Sequence, residues 1–168
     1  ELGNRLAAIA SVSGPTTDSV LYFCNSSLVI PVLHIHGTDD SNVPYNGAGI
    51  YLPVDTTIQF FVNRNSCNPV PVVTNLPDIS TVDNSTVTTY CYSCNDTNEV
   101  LFYKITGGGH TWPGSFPIPP LGTTNLDIKA SGEIWNFFNN TLCFAFSSAL
   151  ACFNLITCRL NDRGFFLS

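Results

Sequence analysis

The sequence predicts an α/β fold with a mainly parallel sheet flanked by helices. Two strong strand patterns, each ending in a glycine turn, alternate with two amphipathic helical patterns. Such alternation is the signature of βαβ units. A length of 168 residues is that of one domain. With 44% hydrophobic and 11% charged residues, the chain can build a core and is not a disordered one.

Residues 4–14 (NRLAAIASVSG) read as the end of a helix running into a short buried strand. Ser13-Gly14-Pro15 stops it. Residues 29–36 (VIPVLHIH) form the best strand, ending at Gly37. Its lack of polar alternation fits a strand buried on both faces. Residues 54–64 (VDTTIQFFVNR) read as a helix capped by Asp55 or Thr56, with Ile58, Phe61 and Val62 on one face. Residues 67–98, rich in Asn, Thr, Ser, Pro and Val, read as short strands and loops. Glu99–Ile105 is the second clear strand, closed by Gly107–Gly109. Four prolines and two glycines make 113–124 irregular. Residues 127–139 (DIKASGEIWNFFN) predict a final amphipathic helix with Ile134, Trp135 and Phe138 inward.

Residues 141–168 differ in character. Leu142–Cys158 carries no charge and three cysteines. It reads as a continued helix, or as a membrane segment slightly short of the ~20 apolar residues a span needs. Ser147, Ser148, Asn154 and Thr157 count against the membrane reading. The abrupt change of composition also fits a shifted reading frame or a read-through intron.

A net charge of −6 with six Lys+Arg leaves no basic cluster. That argues against nucleic acid and against anionic membrane surfaces as partners. Seven cysteines point to an oxidising compartment with disulfides, and the odd count leaves at least one thiol unpaired within the chain. Sequons for N-glycosylation stand at Asn25, Asn84, Asn95 and Asn139. The chain starts at Glu1 and contains no Met, so a secreted reading needs a leader outside these residues.

Chemistry-bearing residues gather after the two strands, where parallel sheets carry their sites. Asp39 and Asp40 follow the first strand. They are ordinary turn residues, or one is a carboxylate that orients a histidine. His110 follows Gly107-Gly108-Gly109 and precedes Trp112-Pro113-Gly114. The glycines let the loop bend so that the ring projects over a cleft. Acid before histidine, each at a strand end, is the second half of the nucleophile–acid–histidine order. Trp112 and Tyr45 are core aromatics or a substrate wall. His34-x-His36 with Asp39 could form a metal pair. The more economical reading makes His34 a buried, hydrogen-bonded residue and His36 a shaper of the acid loop, with no metal. Cys91-x-x-Cys94 lacks the second cysteine pair that a zinc site needs. Gly107–Gly109 lacks the Lys-Ser/Thr ending of a phosphate loop.

Four segments resemble the C-terminal half of the extracellular polyhydroxybutyrate depolymerase/feruloyl esterase family of α/β-hydrolases. They are RLAAIASVSG (5–14), HIHGTDDSNVPY (34–45), VLFYKITGGGHTWPG (100–114) and ASGEIWNFF (130–138). The resemblance implies that residues 1–140 are the C-terminal part of such a domain. It implies Asp40, not Asp39, as the catalytic acid and His110 as the catalytic histidine. Trp112 and Tyr45 would touch substrate. It also implies a Cys67–Cys94 disulfide, with Cys91 as the competitor for the second place. The activity implied is secreted serine-esterase chemistry on feruloyl or acetyl esters of plant polysaccharide, or on a polyester, without a cofactor. The Gly-x-Ser-x-Gly elbow is expected upstream of Arg5. No serine among the 168 residues has glycine at both flanking positions, so this chain alone is not expected to catalyse by that route. The rival reading is a non-catalytic binding module, a truncated or decayed hydrolase. Against decay, Asp40 and His110 both stand in intact motifs.

Overall fold

A computed structural model describes residues 6–23, 29–94 and 99–145. Sequons Asn25 and Asn95, and the tail from Phe146 on, lie outside the described residues. So does most of the expected apolar segment Leu142–Cys158. Among the described residues, no helix is long and apolar enough to cross a membrane.

Among the described residues, five strands and three α-helices follow in the order β1 (Ile9–Val12), α1 (Asp18–Phe23), β2 (Val32–Gly37), α2 (Val54–Arg64), β3 (Val72–Asn75), β4 (Thr86–Ser93), β5 (Glu99–Thr106) and α3 (Ala130–Ala145). The strands form one sheet in the order β1-β2-β5-β4-β3. β1 with β2 and β2 with β5 are parallel. β5 with β4 and β4 with β3 are antiparallel, and β4 pairs with β5 along its whole length.

This corrects the expected mainly parallel sheet of an α/β-hydrolase core: the sheet is small and mixed, and antiparallel pairing makes up the larger part. The cause lies in chain length between strands. A parallel partner needs a crossover of a dozen or more residues. Five residues separate Ser93 from Glu99 and ten separate Asn75 from Thr86, both short of such a crossover, so these strands return beside their predecessors in the opposite sense.

The helices pack on opposite faces. α2 covers Val32, Val100, Phe102 and Tyr92, burying Val54, Ile58 and Val62 against them. α3 covers Leu33, Ile35, Tyr103 and Ile105 with Ala130 and Phe137. Successive residues of β2 and β5 alternate between these two cores, as the period of two requires. The Tyr103 hydroxyl donates to Glu133 Oε2 at 2.8 Å and ties β5 to α3.

Two local expectations change. The residue preceding α2 is Pro53, which makes no side-chain cap, so Asp55 and Thr56 lie inside the helix. In α3, Trp135 is 65% exposed and Phe137 is buried. Ile134, Phe137 and Phe138 share the i, i+3, i+4 stripe, and Trp135 falls about 100° away from Ile134.

Cys67, just past α2, is disulfide-bonded to Cys94 at the end of β4. This is the pairing the resemblance implies. It closes a span of 27 residues, a cross-link worth about 3–4 kcal/mol through the unfolded chain.

Candidate functional site

The site is built where β2 and β5 end side by side. Their loops are joined by backbone bonds. Thr38 N–H donates to Ile105 O, and Asp39 N–H to Gly108 O, both at 2.9 Å. Gly107 N–H donates to Thr38 Oγ1 at 2.9 Å. The approach leaves no space for side chains: a Cβ on Gly37 would collide with the Gly108 carbonyl, and one on Gly109 with the Leu121 carbonyl. On its far side the histidine loop is held by the returning chain, His110 N–H to Leu121 O at 2.7 Å and Gly109 N–H to Thr123 O at 2.9 Å.

Within this frame Asp40 turns inward and Asp39 outward; Asp40 is buried and Asp39 is exposed. Asp40 Oδ1 accepts the backbone N–H groups of Asn42 at 2.9 Å and Val43 at 2.8 Å. This is the turn chemistry short carboxylates favour. The same two bonds aim Oδ2 at His110, whose Nδ1 lies 2.8 Å away. Burial opposes ionisation of Asp40. The Val43 N–H, the His110 hydrogen bond and the Asn42 N–H outweigh it, so the carboxyl lies below its ordinary range. The carboxylate is therefore an acceptor near neutrality, and Nδ1 of His110 carries the proton. The His110 side chain is 31% exposed while that of Asp40 is fully covered. Among the described residues, Nε2 of His110 takes no hydrogen bond.

Behind Asp40 lie two more imidazoles. His36 Nε2 is 2.9 Å from the Val43 carbonyl and 3.5 Å from Asp40 Oδ2. A carbonyl only accepts, so Nε2 of His36 carries the proton and its Nδ1 accepts. His34 Nε2, 3.2 Å from that Nδ1, must then donate. Val43 is thus gripped twice: its carbonyl by His36 and its N–H by Asp40. His36 holds the acid loop, and His34 fixes the tautomer of His36. Asp39 instead accepts from Thr38 Oγ1. Among the described residues, no group of three or more His, Cys, Asp or Glu side chains could hold a metal ion.

Both inner histidines are held neutral. Burial, with His36 adding, lowers His34 to about 3. Burial also lowers His36, against the Val43 carbonyl and Asp40, with His110 adding to the lowering. The unfolded chain binds protons at these positions below pH ~6.5, and the folded chain does not. Stability is complete above that value and falls as pH drops from ~6.5 toward 3. The urea midpoint should fall between pH 7.5 and 5.0, and His34→Gln should flatten that slope. A midpoint constant over this interval would reject the neutral pair.

The two predicted aromatic contacts separate. Trp112 is 45% exposed, and its Nε1–H donates to Ser131 Oγ at 3.1 Å, which pins the indole beside the start of α3. Tyr45 is buried, and its hydroxyl donates to Asp55 Oδ1 at 2.7 Å. It lines a pocket on the α2 face with Ile58, Gln59, Tyr90, Tyr92, Phe102 and Lys104; Trp112 is not part of that pocket. Of its polar residues the sequence points to Tyr45 and Asp55, in other roles, and misses Gln59, Tyr90, Tyr92 and Lys104. The alternation of Tyr90 with Tyr92 and of Phe102 with Lys104 was the available signal.

No protein-family profile and no curated protein matches this chain.

Proposed function

We propose that Asp40 and His110 are the acid and base of a serine esterase of the polyhydroxybutyrate depolymerase/feruloyl esterase type, with its nucleophile on chain outside these residues. The observation that carries this reading is the buried Asp40 Oδ2 paired at 2.8 Å with Nδ1 of a partly exposed His110. A histidine held as the Nδ1–H tautomer presents a basic Nε2. In the reaction, a serine Oγ attacks the ester carbonyl and its proton passes to Nε2. Collapse of the tetrahedral adduct expels the alcohol, which takes that proton. His110 then deprotonates water, which attacks the acyl carbon; the acyl–Oγ bond breaks, the acid is released, and the proton returns from Nε2 to the serine Oγ. Asp40 stays ionised throughout and stabilises the imidazolium.

Trp112 and the proline-rich 113–120 segment would form a wall for the acyl or alcohol group. The substrate class, feruloyl or acetyl esters of polysaccharide or a polyester, rests on the sequence resemblance alone. The Cys67–Cys94 disulfide and the exposed sequon residues Asn84 and Asn139 favour a secreted protein.

A second reading, a non-catalytic module, is favoured by the lack of any Gly-x-Ser-x-Gly among these 168 residues. In it the Asp40–His110 bond only ties two loops together. A polypeptide extended upstream of Glu1 separates the two. Treated with a fluorophosphonate, it should be labelled at one serine, and labelling should be lost in His110→Ala. No labelling would leave the module reading standing.

A further inference from the structure

The pocket on the α2 face is distinct from the acid–histidine pair; none of Asp40, His110 and Trp112 lines it. Its volume is about 220 Å³, roughly seven times the share of one water in the liquid. That is room for a single small ring and too little for a peptide or nucleotide. The floor is aromatic and aliphatic. Tyr45, Ile58, Tyr92 and Phe102 are buried, and the Phe102 ring stacks on Tyr90 and lies tilted against Tyr45. The rim is polar and mixed in sign. Asp55 accepts, Lys104 donates, and Gln59 and the tyrosine hydroxyls do both.

The two rim charges are each already engaged. Asp55 accepts the Tyr45 hydroxyl, and the Lys104 ammonium lies 5.0 Å from the centre of the Tyr45 ring, a cation–π contact. One carboxylate and one ammonium give the rim no net sign, so neither an anion nor a cation is preferred. The ligand that fits has an apolar ring face for the aromatic floor. It also has several edge hydroxyls, each able to donate to Asp55 or accept from Lys104. We propose that this pocket binds one neutral polyhydroxylated ring, a sugar residue. The proposal goes beyond the esterase reading and does not need it. The pocket adjoins the acid loop through Tyr45, whose ring lies 6.2 Å from that of His36.

Binding can be read without turnover by titrating the isotopically labelled chain and following its backbone amides. The probes are methyl β-xylopyranoside, xylotetraose, galacturonate and benzoate. The neutral pyranoside should shift Gln59, Tyr90 and Lys104 saturably, in the millimolar range. Gln59→Ala and Tyr90→Ala should each weaken it about tenfold, and His110→Ala should leave it unchanged. Gln59 is exposed, so its truncation keeps the fold even if Tyr90→Ala does not. Tighter binding of the tetramer assigns the ring to a polymer, and equal binding assigns it to a free sugar. Absence of saturable shifts would overturn the proposal. So would stronger binding of benzoate or galacturonate at the same amides, or shifts indifferent to Gln59→Ala. Loss of the esterase reading with sugar binding intact would separate the two.

Discussion

In a polypeptide that carries the nucleophile, His110→Ala should lower kcat/KM for a small aryl ester by roughly 10⁵- to 10⁶-fold. The effect is large because one atom, Nε2, is asked to take the serine proton and later to activate water. No other imidazole can substitute: His34 and His36 are buried and committed to each other and to the Val43 carbonyl. Stability should fall by about 1–3 kcal/mol, since the covered Asp40 Oδ2 loses its 2.8 Å partner, a loss far too small to account for the kinetic effect. Steady-state kinetics beside thermal unfolding distinguishes the cases. Activity within tenfold of the parent, on a folded variant, would remove His110 from the mechanism.

Asp40→Asn should lower turnover by about 10⁴-fold while leaving the loop in place. Oδ1 accepts two backbone N–H groups, so the amide oxygen of an asparagine must take that position. Its NH₂ then faces His110 Nδ1, 2.8 Å away, and His36 Nε2, 3.5 Å away. Facing a donor, His110 must place its own proton on Nε2, which ends its use as a base. The NH₂ also confronts the N–H of His36, a clash of two donors that costs about 1–3 kcal/mol. A decrease in kcat with nearly unchanged KM, together with that loss of stability, is the expected pair of readouts. Full activity in Asp40→Asn would show that the carboxylate does not set the tautomer.

Much of what positions this site could be read from residue order. β2, α2 and β5 follow their apolar periodicities, and the loops after β2 and β5 carry the turn and glycine residues that let them meet. What stayed hidden is mostly a matter of pairing and rotation. Residues 67–98 announce strands through Val, Thr and Tyr, but their direction depends on connection length, which turned the sheet from mainly parallel to mixed. In α3, Ile134, Trp135, Phe137 and Phe138 are too densely apolar for the pattern to say which of them faces out. Asp39 and Asp40 are chemically identical neighbours, and only the backbone turn at Asn42 and Val43 decides which of them is buried. The α2-face pocket joins Tyr45, Asp55, Tyr90 and Lys104 from a loop, a helix and two strands, and no local spacing in the chain connects them.

Asp40 holds His110 with the proton on Nδ1 and Nε2 open. Nitrogen-15 spectra of the imidazoles in this 168-residue chain near neutral pH test it most directly. The expected result is a His110 Nδ1–H resonance far downfield that disappears in Asp40→Asn, with Nε2 unprotonated. A His110 proton on Nε2, or a downfield resonance that survives Asp40→Asn, would contradict it.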